Sequence, residues 1–162
     1  NMGTIGGNIA NASPAADGSV ALLALRARVR LISSQGERVV DLEDFFTGTG
    51  ESVLRPDELL QEVILPIHDA ANQWRWLKLG QRHGSVCAVI SVALALRMEA
   101  DVCRHARIAM GTVATTPLLA SRPGELLSGH RLDEPLIEKA VAALTKGTGV
   151  KVAVSPAAAK LA

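Results

Sequence analysis

A chain of 162 residues, 48% of them hydrophobic, can bury a core sufficient for one medium domain or two small ones. Its charge is nearly balanced, with 17 Lys plus Arg against 16 Asp plus Glu, and no basic run or aromatic–basic interleaving marks a nucleic-acid surface. The longest apolar run, 88–96, is too short for a membrane span and no signal-peptide start is visible, so the cytoplasm is the expected location.

Residues 4–16 begin as a loop rich in Gly, Asn and Ser, after which Ser13-Pro14 offers an N-cap followed by proline at the first helical position. A helix through Leu25 is predicted, with Val20, Leu23 and Ala24 at helical spacing and an entry that can slide to Asp17. Gly18 weakens its first turn by about 1 kcal/mol relative to alanine. Residues 28–33 and 38–42, joined across Gln35-Gly36, read as a hairpin. A short turn at 44–46 and a Thr-Gly-Thr-Gly loop then lead through 57–60 to the β-rich run Val63-Ile64-Leu65, which Pro66 stops. A boundary in 66–72 divides the chain into domains over 1–68 and 69–162.

The second region opens with a strand over 73–79, in which Trp74, Trp76 and Lys78 share one face and Arg75, Leu77 and Leu79 the other. The Trp pair reads as core, with shielding of a cofactor as the alternative. Two further β runs, 86–97 and 102–113, flank the polar turn Glu99-Ala100-Asp101, so an antiparallel three-stranded meander is predicted. At Thr116-Pro117 the period becomes helical, Pro123-Gly124 interrupts, and Gly129 acts as a stop. The last helix starts near Asp133 and presents Ile137, Ala140, Val141 and Leu144 as its apolar stripe.

Cys87 and Cys103 are isolated, which excludes a four-cysteine zinc or iron–sulfur site on this chain; both read as core thiols, with a disulfide as the alternative. His68, His83, His105 and His130 show no HxxxH or HxH spacing, and no metal site is expected. Ser13, Ser85 and Ser91 lack a GxSxG context, so no nucleophilic catalyst is expected either.

The segment Thr4-Ile5-Gly6-Gly7-Asn8, with Ser13 and Asp17 beyond it, carries most of the information. Paired glycines permit positive φ and close backbone approach, Thr4, Asn8 and Ser13 add polar side chains, and a helix start beyond them adds further N–H groups. These are the parts of a phosphate cradle, although a Gly-Gly pair alone is more often an ordinary turn. The segment is neither a Walker loop nor a GxGxxG fingerprint, which argues against kinases and nicotinamide Rossmann domains.

Residues 1–17, NMGTIGGNIANASPAAD, resemble the second FAD-binding motif of the xanthine dehydrogenase and carbon monoxide dehydrogenase flavoprotein family. The segments LRPDELL (54–60), KLGQR (78–82), GTV (111–113) with Thr116-Pro117, and ELLSG (125–129) follow in that family's order, extending the likeness to about Leu144. The resemblance implies an α+β fold: the second half of a PCMH-type FAD-binding α/β domain, then a carbon monoxide dehydrogenase flavoprotein C-terminal-like domain with a three-stranded antiparallel sheet and helices. It implies FAD as cofactor, with residues 4–8 around its pyrophosphate, Asp17 on the nucleotide part, Leu60 packed on the cofactor and Lys78 near the flavin. A cation there would favour an anionic reduced ring or a phosphate.

The same resemblance implies an oxidoreductase subunit of a molybdenum hydroxylase. Molybdopterin and iron–sulfur clusters would lie in a molybdenum-cofactor subunit and an iron–sulfur subunit, and FAD would pass electrons to NAD, oxygen or another acceptor. The chain opens at Asn1 inside the motif, so an N-terminal part with the family's first, Ala-Gly-Gly type loop is expected to precede it, and FAD retention by these residues alone is expected to be weak. Two departures stand out: His83-Gly84-Ser85 follows Arg82 where many members carry an acid, and 151–162 replaces a common Asp-Arg tail. The alternatives are a flavin reductase of the cell-wall precursor type, which would want a proton donor in the second region, and a non-enzymatic interaction module.

Overall fold

The computed structural model describes residues 3–67, 71–80 and 87–148. In chain order the first half contains α1 (Ile5–Ala10), α2 (Asp17–Ala24), β1 (Arg28–Ser33), β2 (Gly36–Asp41), α3 (Leu42–Phe45), β3 (Phe46–Gly48), β4 (Glu51–Ser52) and β5 (Leu59–Ile64). The second half contains β6 (Asn72–Gly80), β7 (Ala88–Glu99), β8 (Val102–Gly111), β9 (Leu118–Leu119), α4 (Ser121–Leu127), β10 (His130–Arg131) and α5 (Glu134–Thr148).

The predicted hairpin forms, because Ser33 pairs with Gly36 across a two-residue turn and Gly36 takes the φ of 141° that a side chain would oppose. Strand β5 adds on the other side of β1, giving the order β2-β1-β5, all antiparallel. The predicted meander also forms, in the order β8-β7-β6, and β10 and β9 extend it on the β8 side through pairings that no local pattern announces.

The main core joins the two halves. Val20, Leu23 and Ala24 of α2 pack between Val29 and Leu31 of β1 on one side and Ala93 and Ala109 of the meander on the other. The small side chains of Ala93 and Ala109 let the helix lie close to the sheet. Gly111 lets the helix approach closely too, since a Cβ there would stand 2.5 Å from Ser91 Oγ, 2.8 Å from Val20 Cγ2 and 3.2 Å from the Pro14 carbonyl oxygen. The other face of the meander is covered by α4 and α5 through Ile108, Leu127 and Ala140.

Several expectations are corrected. The helix expected from Thr116-Pro117 starts at Ser121, because Leu118 and Leu119 are drawn onto β8 as a short strand. Pro123 lies in the first turn of α4, where its missing N–H costs no intrahelical bond, and Gly124 lets the helix approach within 2.6 Å of the Ala106 carbonyl oxygen, measured from where a Cβ would sit. In α5 the inward stripe runs through Leu136, Ala140 and Leu144, and Ile137 is exposed. Asp133 caps this helix by accepting the N–H of Leu136 at 3.0 Å. Trp74 and Trp76 are not core: they are 47% and 42% exposed, because β6 is the sheet edge and the apolar side chains of α2 pack on Ala93 of β7 and Ala109 of β8. Cys103 is buried as expected, whereas Cys87 is exposed, and both are free thiols. His68 and the departure at 83–85 lie outside the described residues.

Candidate cofactor site

Thr4 is extended and caps α1, its Oγ1 accepting the N–H of Gly7 at 3.0 Å. The expected glycine loop over 4–8 is therefore a short helix. Gly6 and Gly7 are also not in the left-handed region; among the described glycines that region holds Gly36, Gly50 and Gly129. Their contribution is space: a Cβ on Gly6 would lie 3.7 Å from Leu60 Cδ2, and one on Gly7 would lie 3.0 Å from Thr4 Oγ1. The N–H groups of Ile5 and Gly6 belong to the first helical turn, which has no acceptors within the helix.

Asn8 reaches toward the second helix, where a Cβ on Gly18 would stand only 2.8 Å from Asn8 Oδ1. The glycine that reads in sequence as a weak point is what admits Asn8. Next to it Asp17 opens α2, a position where the helix dipole favours a carboxylate. Its Oδ2 accepts from Lys78 Nζ of β6 at 2.5 Å, and the Lys78 side chain is only 15% exposed, so this is not a solvated strand-edge lysine. Asp17 Oδ1 is buried and has no hydrogen-bond partner among the described residues, which leaves it as an acceptor beside the glycine helix.

The elbow between the helices is tied down from two directions. Gly50 donates its N–H to the Ala12 carbonyl at 3.0 Å, and Thr112, at φ 67°, donates its N–H to the Pro14 carbonyl at 2.9 Å. With Pro14 so held, α2 starts at Asp17, and Ser13 Oγ accepts from the Ala15 N–H at 3.3 Å in a local turn. The fold thus links Thr4 to Gly7, Gly6 to Leu60, Asn8 to Gly18 and Asp17 to Lys78, while the Ile5 side chain is exposed and Ser13 is occupied at the elbow. Sequence reasoning missed Gly18 as an enabling residue; a glycine in a helical first turn beside an acid was the available signal.

These residues fit a dinucleotide. Free first-turn N–H groups and the absence of Cβ atoms at Gly6 and Gly7 suit phosphate, Leu60 offers an apolar wall, and the Asp17 Oδ1 acceptor beside an ammonium suits a polar ring edge or hydroxyl. Among the described residues no group of His, Cys, Asp or Glu is placed to hold a metal ion, and no helix is long and apolar enough to cross a membrane.

An α+β region whose glycine helix fits a dinucleotide, packed through α2 onto an antiparallel sheet with helical cover on its other face, suits a cofactor-binding protein. Residues 1–68 match the FAD binding domain in molybdopterin dehydrogenase, and residues 75–159 match the CO dehydrogenase flavoprotein C-terminal domain; the chain belongs to this flavoprotein family, the FAD subunits of molybdenum hydroxylases. A carbon monoxide dehydrogenase medium chain of Afipia carboxidovorans is 36% identical over 141 residues, 87% of this chain and 49% of that protein. The nicotinate dehydrogenase FAD-subunit of Eubacterium barkeri is 36% identical over 142 residues, 85% of this chain and 48% of that one. Among solved structures, a carbon monoxide dehydrogenase from Hydrogenophaga pseudoflava superposes with a TM-score of 0.87 at 30% identity, over 96% of this chain and 53% of that chain. Quinoline 2-oxidoreductase from Pseudomonas putida gives 0.80 at 33% identity, over 91% and 50%. The chain spans about half the length of the curated relatives it matches.

Proposed function

We propose that this chain is the FAD-holding, electron-transferring part of a cytoplasmic molybdenum hydroxylase. It would work beside a molybdenum-cofactor subunit and an iron–sulfur subunit, and hand electrons to NAD, oxygen or another acceptor. FAD, when bound, supplies the redox chemistry, accepting electrons singly or in pairs.

The residues of the chain bind and orient. The N–H groups of Ile5 and Gly6 would meet the pyrophosphate, with Thr4 and Asn8 flanking them, and Leu60 would wall the cofactor. Asp17 and Lys78 have their charged ends in contact, so in an extended dinucleotide they serve one part of it together rather than opposite ends. Lys78 would place positive charge there, moderated by Asp17, and no proton-transfer catalyst is required of this chain.

The observation that carries this reading is the Gly6–Leu60, Asn8–Gly18 and Asp17–Lys78 set of contacts, which gathers residues from four elements around the glycine helix. The visible spectrum of the purified holoprotein tests it. Flavin bands that diminish in a Gly7→Val variant are expected, because the added side chain would crowd Thr4 Oγ1 and the phosphate approach. A protein that copurifies with its partner subunits and shows no flavin absorption would instead be an interaction module.

A further inference from the structure

Leu60 reaches the glycine helix only because β5 is irregular. The β1–β5 register runs Arg28↔Ile64, Val29↔Val63 and Arg30↔Glu62, then jumps to Leu31↔Leu60, which leaves Gln61 as an extra residue. In unbroken register Gln61 would oppose Leu31 and Leu60 would oppose Ile32, on the outer face with Arg30. The bulge moves Leu60 to the inner face, in one row with buried Leu31 and with Arg38 of β2.

A re-aimed side chain stays aimed only if the strand is anchored on both sides of the bulge. Beyond it, Glu62 accepts from Arg30 Nε at 2.6 Å, and Arg30 also reaches Glu37. Before it stands Glu58, 8% exposed, two residues from Leu60. Its carboxylate accepts from Arg38 Nε at 2.7 Å and from the second guanidinium nitrogen at 2.9 Å, and it takes the Arg55 N–H at 2.9 Å. The same arginine donates to the Val53 carbonyl at 2.7 Å, so one guanidinium fastens both ends of the 53–58 loop. A forked, charge-assisted pair of this kind fixes orientation as well as distance.

We propose that Glu58, clamped by Arg38, is a positioning residue for the FAD site, setting the start of β5 so that Leu60 faces Gly6. The proposal rests on the FAD reading above. It is tested in the holoprotein with Glu58→Gln, Leu60→Ala and the double variant, measuring the FAD dissociation constant by flavin fluorescence, the visible circular dichroism of bound flavin, and Tm. Glu58→Gln is expected to raise the dissociation constant about tenfold. It should also alter the visible dichroism and have little further effect in the Leu60→Ala background. A lowered Tm with affinity and dichroism unchanged, or an effect that adds fully to Leu60→Ala, would overturn it. Should Glu58→Gln fail to fold, Arg38→Lys, which keeps the charge and loses the fork, is read against the same outcomes. A parent protein that takes up no FAD overturns the FAD reading, and this proposal with it.

Discussion

The ammonium of Lys78 and the carboxylate of Asp17 are 2.5 Å apart although 61 positions separate them along the chain. This contact joins the first residue of α2 to the edge strand of the meander, so each residue determines where the other can meet a ligand. Lys78→Met and Asp17→Asn are each expected to weaken FAD binding, and the double variant should lose less than the sum, with a coupling of about 0.5–3 kcal/mol. Flavin titrations on the four proteins of the cycle measure this; full additivity would mean that the two residues act separately. Because the Lys78 side chain is only 15% exposed, each single variant is also expected to lower Tm, since it leaves the other charge part-buried without its partner.

Replacing Gly18 by alanine sets two effects against each other. Helix propensity improves by about 1 kcal/mol. The new Cβ, however, would stand 2.8 Å from Asn8 Oδ1, and the asparagine side chain must move. Tm should therefore change little, while FAD affinity falls by about tenfold, or about 1.4 kcal/mol. Unchanged affinity would detach Asn8 from the cofactor.

Much of the fold is legible in the sequence, and each miss has a physical cause. The hairpin and the meander follow from period-two runs broken at Gly36 and at Ala100-Asp101, all local signals. Helix α1 is hidden because paired glycines read as a loop, while the Thr4 cap and the packing of Gly6 against Leu60 overcome their poor propensity. Leu118-Leu119 pairs with a strand several residues upstream, which no helical pattern can reveal, and the exposure of Trp74 and Trp76 depends on which strand lies at the edge. For the site, the motif at 4–17 is visible as a contiguous string, but the meeting of Asp17 with Lys78 is produced by tertiary packing.

Acid should act on the Glu58 clamp. The Arg38 guanidinium, and after it the Arg55 N–H, hold this carboxyl well below the usual range, at about 2. A depressed carboxyl contributes stability that is fully present above its unfolded pKa and is lost as pH falls through the folded one. The difference in stability between the parent and Glu58→Gln should therefore be constant from neutral pH down to about 5, then shrink progressively toward pH 2. Denaturant unfolding at a series of pH values checks this, and a difference unchanged between pH 5 and 2 would contradict it.

The two thiols should react very differently. Cys87 is exposed, whereas Cys103 is buried and burial pushes its thiol pKa up. Only the thiolate is a good nucleophile, so brief alkylation of the native protein is expected to label Cys87 alone, with Cys103 reacting after denaturation. Peptide mass mapping distinguishes the sites, and equal labelling in the native state would refute this burial pattern.

Helix α2 is the common wall of both halves, seated between Val29 and Leu31 on one side and the alanine floor of Ala93 and Ala109 on the other. A chain cut in the connection between β5 and β6 would thus give two pieces that each expose one side of a single interior. Mixed together, they should find one another without the peptide link, as complementing fragments do. The same feature restricts recombination: a foreign sheet grafted after β5 would have to supply small residues where Ala93, Ala109 and Gly111 now lie, or the helix bearing Asp17 would be lifted away from its lysine.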